Sequence, residues 1–272
     1  MQKPFAIAAL FFVLALPAFA ADLPNARATS EYAPPPPAFS WSGFYLGANA
    51  GVSGGNFTTS DRFGTFGSGD QTTADSVGFS GGGQLGYNYQ FPRSNFVVGV
   101  EADFQGSTLQ GTYDNFQAAA SGNEGGWRDA SKVDWWGTVR GRTGYAFGSI
   151  LPYATGGLAY GHVVTNGSCS ATGFPFSCDQ SRGSVSGTQI GWTAGAGLEY
   201  AMTHNLTFKA EYLYTDLGSV NIPNYFLDAT FGGPINSPGD DMRTRITFST
   251  LRVGMNYKFD MFAPPGPAVT KY

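Results

Sequence analysis

The sequence predicts an all-β fold, an eight-stranded antiparallel transmembrane β-barrel with short periplasmic turns at one end and long extracellular loops at the other. Three observations predict it. The chain opens with an export signal, yet no later stretch is apolar for long enough to form a spanning helix. Polar and apolar side chains then alternate with period two along runs suited to a tilted membrane strand. The links between those runs alternate between a few residues and about 20 to 25 residues, which is how such barrels connect.

Residues 1–20 form the signal. Lys3 gives a positive start, residues 5–16 an apolar core, and Ala18-Phe19-Ala20 a small-x-small cleavage site. Residues 21–40 are a Pro-rich periplasmic linker, extended through Pro34 to Pro37. The barrel is expected over residues 41–259, followed by a C-terminal tail, residues 260–272. With 39 glycines, 15% aromatic and 12% charged residues, the chain has about half the charge of an ordinary globular domain. That argues against a soluble enzyme, and a net charge of −4 argues against a nucleic-acid partner.

The first strand, residues 43–52, sets Phe44, Leu46, Ala48, Ala50 and Val52 against Tyr45, Gly47, Asn49 and Gly51. The second, 77–91, opposes Phe79, Leu85, Tyr87 and Tyr89 to Ser80, Gln84 and Asn88. The third opposes Phe96, Val98, Val100 and Phe104 to Glu101, Asp103 and Gln105. In the fourth, Val133, Trp135, Val139 and Tyr145 oppose Asp134, Thr138, Arg140 and Arg142. The fifth, 151–164, has apolar or small residues on both faces and no clear phase. The sixth opposes Ile190, Trp192 and Leu198 to Gln189, Thr193 and Glu199, and the seventh Leu206, Phe208, Tyr212 and Tyr214 to Lys209 and Glu211. The eighth ends with Leu251, Val253, Met255, Tyr257 and Phe259 opposite Arg252, Asn256 and Lys258. Upstream, Ile246 and Phe248 fall in the other phase, so a bulge is expected near Ser249-Thr250.

Short links lie at Pro92-Arg93-Ser94, Gly148-Ser149-Ile150 and residues 202–205; the long ones occupy residues 53–76, 107–132, 165–186 and 219–244. A secreted β-sandwich shares the composition but has no reason to gather its long loops at one end. Aromatic residues cluster at both strand ends, as two lipid–water interfaces select. The polar phase is mostly Gly, Ser, Thr, Gln and Asn rather than the Lys and Glu that coat a soluble barrel, so the apolar phase faces lipid.

At this point the residues resemble a known group. The ADLP start of the mature chain, the Pro-rich spacer, FSWSGFYLGANAG, PYATGGLAYG and the terminal LRVGMNYKF are similar to the small outer-membrane β-barrel proteins of alphaproteobacteria, the surface-antigen and haemin-binding group. The resemblance implies location in the bacterial outer membrane. It further implies contact with outer-membrane lipid and lipopolysaccharide and assembly by the barrel-assembly machinery, while the long loops, rich in Gly, Ser, Asn and Asp, read either as solvated connections or as contacts for hosts, phage or neighbouring cells. Members include structural proteins, porins, surface antigens and haem binders. The segment after Phe259 departs from the usual terminal aromatic.

The polar phase gathers Glu101, Asp103, Asp134, Arg140, Arg142, Glu199, Lys209, Glu211, Arg252 and Lys258. Five acids and five bases in an interior only wide enough for side chains read as a paired structural network before an ion pathway. No catalytic residue, metal site or cofactor is expected: His162 and His204 lack a nucleophile motif, and haem would have to draw on Tyr113, Tyr225, Met242 or His162. The expected role is structural and surface-exposed, helping maintain outer-membrane integrity, with porin-like transport or haemin binding as the alternatives.

In an oxidising compartment Cys169 and Cys178 are expected to form a disulfide across the third long loop. So small a ring contributes about 2–3 kcal/mol in the loop-entropy picture. Mass spectrometry without reduction should find the bridge, and a Cys169→Ser/Cys178→Ser variant should still assemble. Failure of that variant to reach the membrane would give the bridge a larger role.

Overall fold

The computed structural model describes residues 39–61, 71–118, 124–171, 182–222, 227–228, 233–234 and 242–259. The signal, most of the linker, the 260–272 tail, Cys178 and Tyr225 lie outside them. Eight long strands close into an antiparallel barrel in the order β1-β10-β7-β6-β5-β4-β3-β2. They are β1 (Gly43–Asp61), β2 (Gln71–Gln90), β3 (Phe96–Ala118), β4 (Glu124–Tyr145), β5 (Ile150–Ala171), β6 (Arg182–Ala201), β7 (Leu206–Ile222) and β10 (Met242–Phe259). Two-residue strands β8 (Leu227–Asp228) and β9 (Gly233–Pro234) pair with each other between β7 and β10. Closure comes from β1 and β10, paired without interruption from Phe44↔Phe259 to Asp61↔Met242.

The barrel is inside out relative to a soluble one. Phe79 is 69% exposed and Ile190 74%, whereas Glu101 is 3% exposed and Arg140 2%. A continuous apolar outer wall around a polar filling is stable only in lipid. At the short-turn end that wall carries stacked rings, including Tyr89–Phe91 at 5.2 Å and Tyr257–Phe259 at 5.2 Å between centroids. Toward the long-loop end a second level holds Phe104–Trp135 at 5.4 Å and Trp192–Tyr214 at 5.5 Å.

Several expectations are corrected. Much of each long link is strand: β3 and β4 stay paired up to Ala118↔Glu124, and β5 and β6 up to Ser168↔Arg182. Once neighbouring strands have a register, each further residue pair adds ladder hydrogen bonds, so pairing runs on past the bilayer. The fifth strand has a definite phase, with Leu151, Tyr153, Thr155, Ala159, Val163 and Thr165 turned inward.

No bulge interrupts β10 at Ser249-Thr250. Thr244, Ile246, Phe248, Thr250 and Arg252 all face inward in one unbroken phase. Ile246 and Phe248 are apolar because the upper interior is apolar. They join Phe57, Leu109, Trp136 and Leu217 in a buried cluster, with the Trp136 and Phe248 rings 5.2 Å apart. The bulges lie elsewhere. On β4 the pairing steps from Val133↔Val163 to Trp135↔His162, and on β7 it steps over Leu217-Gly218, where Gly218 adopts φ +79°. Each extra residue reverses the inward phase beyond it.

The two phases at residue 246 can be told apart. Ile246→Asp should bury a charge in the apolar cluster and cost several kcal/mol, read as a lowered urea-unfolding midpoint in lipid vesicles. Ile190→Asp, outward at the same rim, should cost about 1 kcal/mol or less. Equal effects of the two would put Ile246 on the lipid face.

Candidate functional site

The interior is filled in three layers. At the short-turn end the segment before β1 folds under the barrel mouth: Trp41 is buried with Val97, Ala146, Leu151 and Ala201, and Phe39 packs against them. The Trp41 indole N–H donates to the Gly148 carbonyl at 3.2 Å, and its backbone N–H to Gln90 Oε1 at 3.1 Å. At the other end lies the Trp136–Phe248 cluster. Between the two apolar layers sits the charge.

Strand register places the first partners. Glu101 on β3 faces Arg140 on β4, and Arg252 on β10 faces Glu211 on β7, as directly paired residues on the inner face. Long side chains then reach across the lumen. Arg140 binds Glu101 at 2.5 Å, Asp103 at 3.0 Å and, from the opposite wall, Glu211 at 3.0 Å. Arg252 binds Glu211 at 2.6 Å and Asp103 at 2.9 Å, and Lys209 reaches Glu101 at 2.8 Å. Arg142 binds Glu199 at 2.6 Å and lies 3.9 Å above the Tyr153 ring. Four carboxylates therefore face four cations, and a net-neutral set avoids the cost of an isolated buried charge.

Neutral groups add further hydrogen bonds to the carboxylates. Tyr45 donates to Glu101 at 2.7 Å, Tyr153 to Glu211 at 2.9 Å, and Thr138 to Asp103 at 2.8 Å. Thr207 and the Asn256 amide donate to Glu199 at 2.6 and 2.9 Å, and Asn256 in turn accepts from Gln84. Sequence reasoning set Tyr45 in the polar phase without giving it a role, and missed Tyr153 because its strand had no readable phase.

Two of the ten charged residues stand apart from this cluster. Asp134 is not in the lumen: the β4 bulge turns it outward, 40% exposed, where it pairs with Lys132 at 2.9 Å and lies 3.4 Å from His162 Nδ1. The same bulge turns Val133 inward to the upper apolar layer. A carboxylate at the wet rim keeps its hydration, which the apolar layer would deny it. Lys258 keeps the inward phase but sits at the short-turn mouth, donating to the Ser40 carbonyl at 2.6 Å with its ammonium 4.6 Å from the Phe39 ring centre. It fastens the segment before β1.

His162 is on the outer wall, stacked on Trp135 at 5.9 Å, and His204 lies in the β6–β7 turn. Tyr113 packs against the upper apolar cluster, while Met242 opens β10. Above the membrane band, Arg128 hydrogen-bonds Asp114 at 2.6 and 3.1 Å and holds that exposed carboxyl below its usual range.

The chain is similar to several known proteins. The model of the outer membrane protein beta-barrel domain matches residues 6–259. A 31 kDa outer-membrane immunogenic protein of Brucella melitensis is 40% identical over 268 residues, covering 95% of this chain and 100% of that protein. A 22 kDa outer membrane protein of Rhizobium leguminosarum bv. viciae is 35% identical over 200 residues, 74% of each chain. Among solved structures, Ail, the attachment invasion locus protein of Yersinia pestis, aligns over 80% of this chain and 99% of its own, at 16% identity and a TM-score of 0.33.

Removing one member of the cluster should leave its partners buried and uncompensated. Arg140→Ala, which strips Glu101, Asp103 and Glu211 of a shared cation, should destabilise the barrel by about 3–5 kcal/mol. Arg140→Met combined with Glu101→Gln should cost less than the two single changes summed. Unfolding midpoints of the unmodified protein, Arg140→Ala, Arg140→Met, Glu101→Gln and the double variant measure both, and strict additivity would show that the pair does not interact.

Proposed function

The chain belongs to the outer-membrane β-barrel family and resides in the bacterial outer membrane; from that premise we propose that it is a structural, surface-exposed barrel with a closed interior. It contributes to outer-membrane integrity by its wall and to surface interactions by its long-loop end. One observation carries the reading: the lumen is filled through three successive layers, with Trp41, Arg140, Lys209, Arg252, Trp136 and Phe248 all buried. Eight strands enclose an interior that side chains can fill, and here large ones fill it.

The surface role draws its support from the relatives. The Brucella protein is named as immunogenic, and the loop end is the part of such a barrel that other molecules meet. The reading assigns the chain no catalytic residue and no cofactor.

Planar-bilayer recording of the refolded protein tests it. The unmodified protein should give no steady openings wide enough for small sugars. Arg140→Ala or Glu101→Ala should raise conductance by emptying part of the middle layer. Large steady openings of the unmodified protein, unmoved by either change, would replace this reading with passive transport through a porin-like channel.

A further inference from the structure

On the outer wall, at the long-loop end, β1, β6, β7 and β10 enclose an open groove of about 890 Å³. Its lining combines Arg243 and Arg245 of β10, Thr58 and Ser60 of β1, and Trp192 and Tyr214 on β6 and β7. We propose that this groove binds the phosphorylated headgroup of an outer-leaflet lipid. The inference concerns the outer wall, and so goes beyond the closed-lumen reading and stands independently of it.

Strand register assembles the site. Arg245 lies directly opposite Thr58 and Arg243 directly opposite Ser60, so two guanidinium groups and two hydroxyls form a square on the outward face. Residues two apart on a strand lie about 6.6 Å from each other, a separation at which both arginines can reach oxygens of one sugar-phosphate group. Across β7, Asp216 carries a carboxylate that is only 5% exposed; it pairs with Arg245 Nη2 at 2.5 Å and accepts from the Gly218 amide at 2.8 Å. That contact engages one corner of the fork. The Arg245 side chain remains 62% exposed, with donors left for phosphate oxygens. The left-handed turn at Gly218 makes the indentation, because the bulge there interrupts the pairing between Arg245↔Ser219 and Thr247↔Asp216.

Height above the membrane selects the ligand. From Phe259 in the lower aromatic level, ten residues along β10 lead to Ser249, paired with Tyr214 of the upper level. At about 3.3 Å per residue and a tilt of about 40°, that distance spans roughly 25 Å, the height of the apolar band. Below Ser249 the outward residues are Leu251, Val253 and Met255, exposed and apolar. Above it they are Thr247, Arg245 and Arg243. The groove therefore opens at headgroup level, its Trp192 and Tyr214 rings against the acyl boundary and its arginines among the phosphates.

The full-length protein, folded in detergent micelles, can be titrated with diphosphorylated lipid A and followed by native mass spectrometry. Arg243→Ala/Arg245→Ala should weaken binding about tenfold or more, while Arg93→Ala, in the β2–β3 turn at the opposite end, should bind as the unmodified protein does. Lipid A stripped of its phosphates should bind no better to the unmodified protein than to the double variant. Inorganic phosphate at about 10 mM should fail to displace the lipid. Folding is checked by the heat-dependent gel shift of intact barrels; should the double variant not fold, Arg243→Gln alone should still weaken binding several-fold. Equal affinity of unmodified and variant proteins, or equal affinity for the dephosphorylated lipid, would overturn the site. Displacement by inorganic phosphate would make it a soluble-anion site and overturn the lipid assignment.

Discussion

A polypeptide in lipid cannot leave its backbone polar groups unpaired, and this chain meets that demand by hydrogen-bonding β1 to β10. Most of the remaining architecture follows from this closure. With eight strands the circle is small, and the inward half of every alternating strand is forced into one narrow column. Charge placed in that column has nowhere to go but toward other charge. Arg140 meets Glu101 because register puts them side by side, and meets Glu211 because the column is narrow enough to cross.

The layers above and below the charge are part of the same solution. Ion pairs gain strength when water is excluded, yet their desolvation must be compensated by good geometry and complete hydrogen bonding. Trp41 and its neighbours cover the charges from one side and the Trp136–Phe248 cluster from the other. Tyrosine and threonine hydroxyls and the Asn256 amide then add further hydrogen bonds to the same carboxylates. The result is a core like that of a soluble protein turned inside out, polar at the centre and apolar at its own ends.

How much of this was legible in the sequence depends on how far period two persists. Residues such as Phe44, Leu85, Val139 and Tyr257 declare the lipid face because alternation around them is unbroken, and the strand count, the short turns and the charged set follow from it. Legibility fails where one residue is inserted. Asp134 looks like a lumen residue by counting from Thr138, and only the step between Val133 and Trp135 sends it out. Ile246 and Phe248 mislead in the opposite way: the phase is regular, and the environment changes from polar to apolar along the column. Alternation encodes which side a residue faces and not what waits there. The Phe39–Trp41 plug was unreadable for a related reason, since it belongs to no strand and its partners, Gly148 and Gln90, come from other parts of the chain.

The length of the strands has a consequence for what a passing molecule touches. β3 holds 23 residues, about 75 Å of extended chain, whereas crossing the bilayer takes about 10. The surplus rises as a paired palisade above the headgroups, continuous with the wall in the membrane. An antibody approaching its flank would meet side chains from neighbouring strands, such as Asp114 of β3 and Arg128 of β4, that lie together only while the hydrogen-bonded ladder stands. Whatever recognised such a flank would read a discontinuous surface, erased by unfolding and absent from any short synthetic peptide of the same sequence.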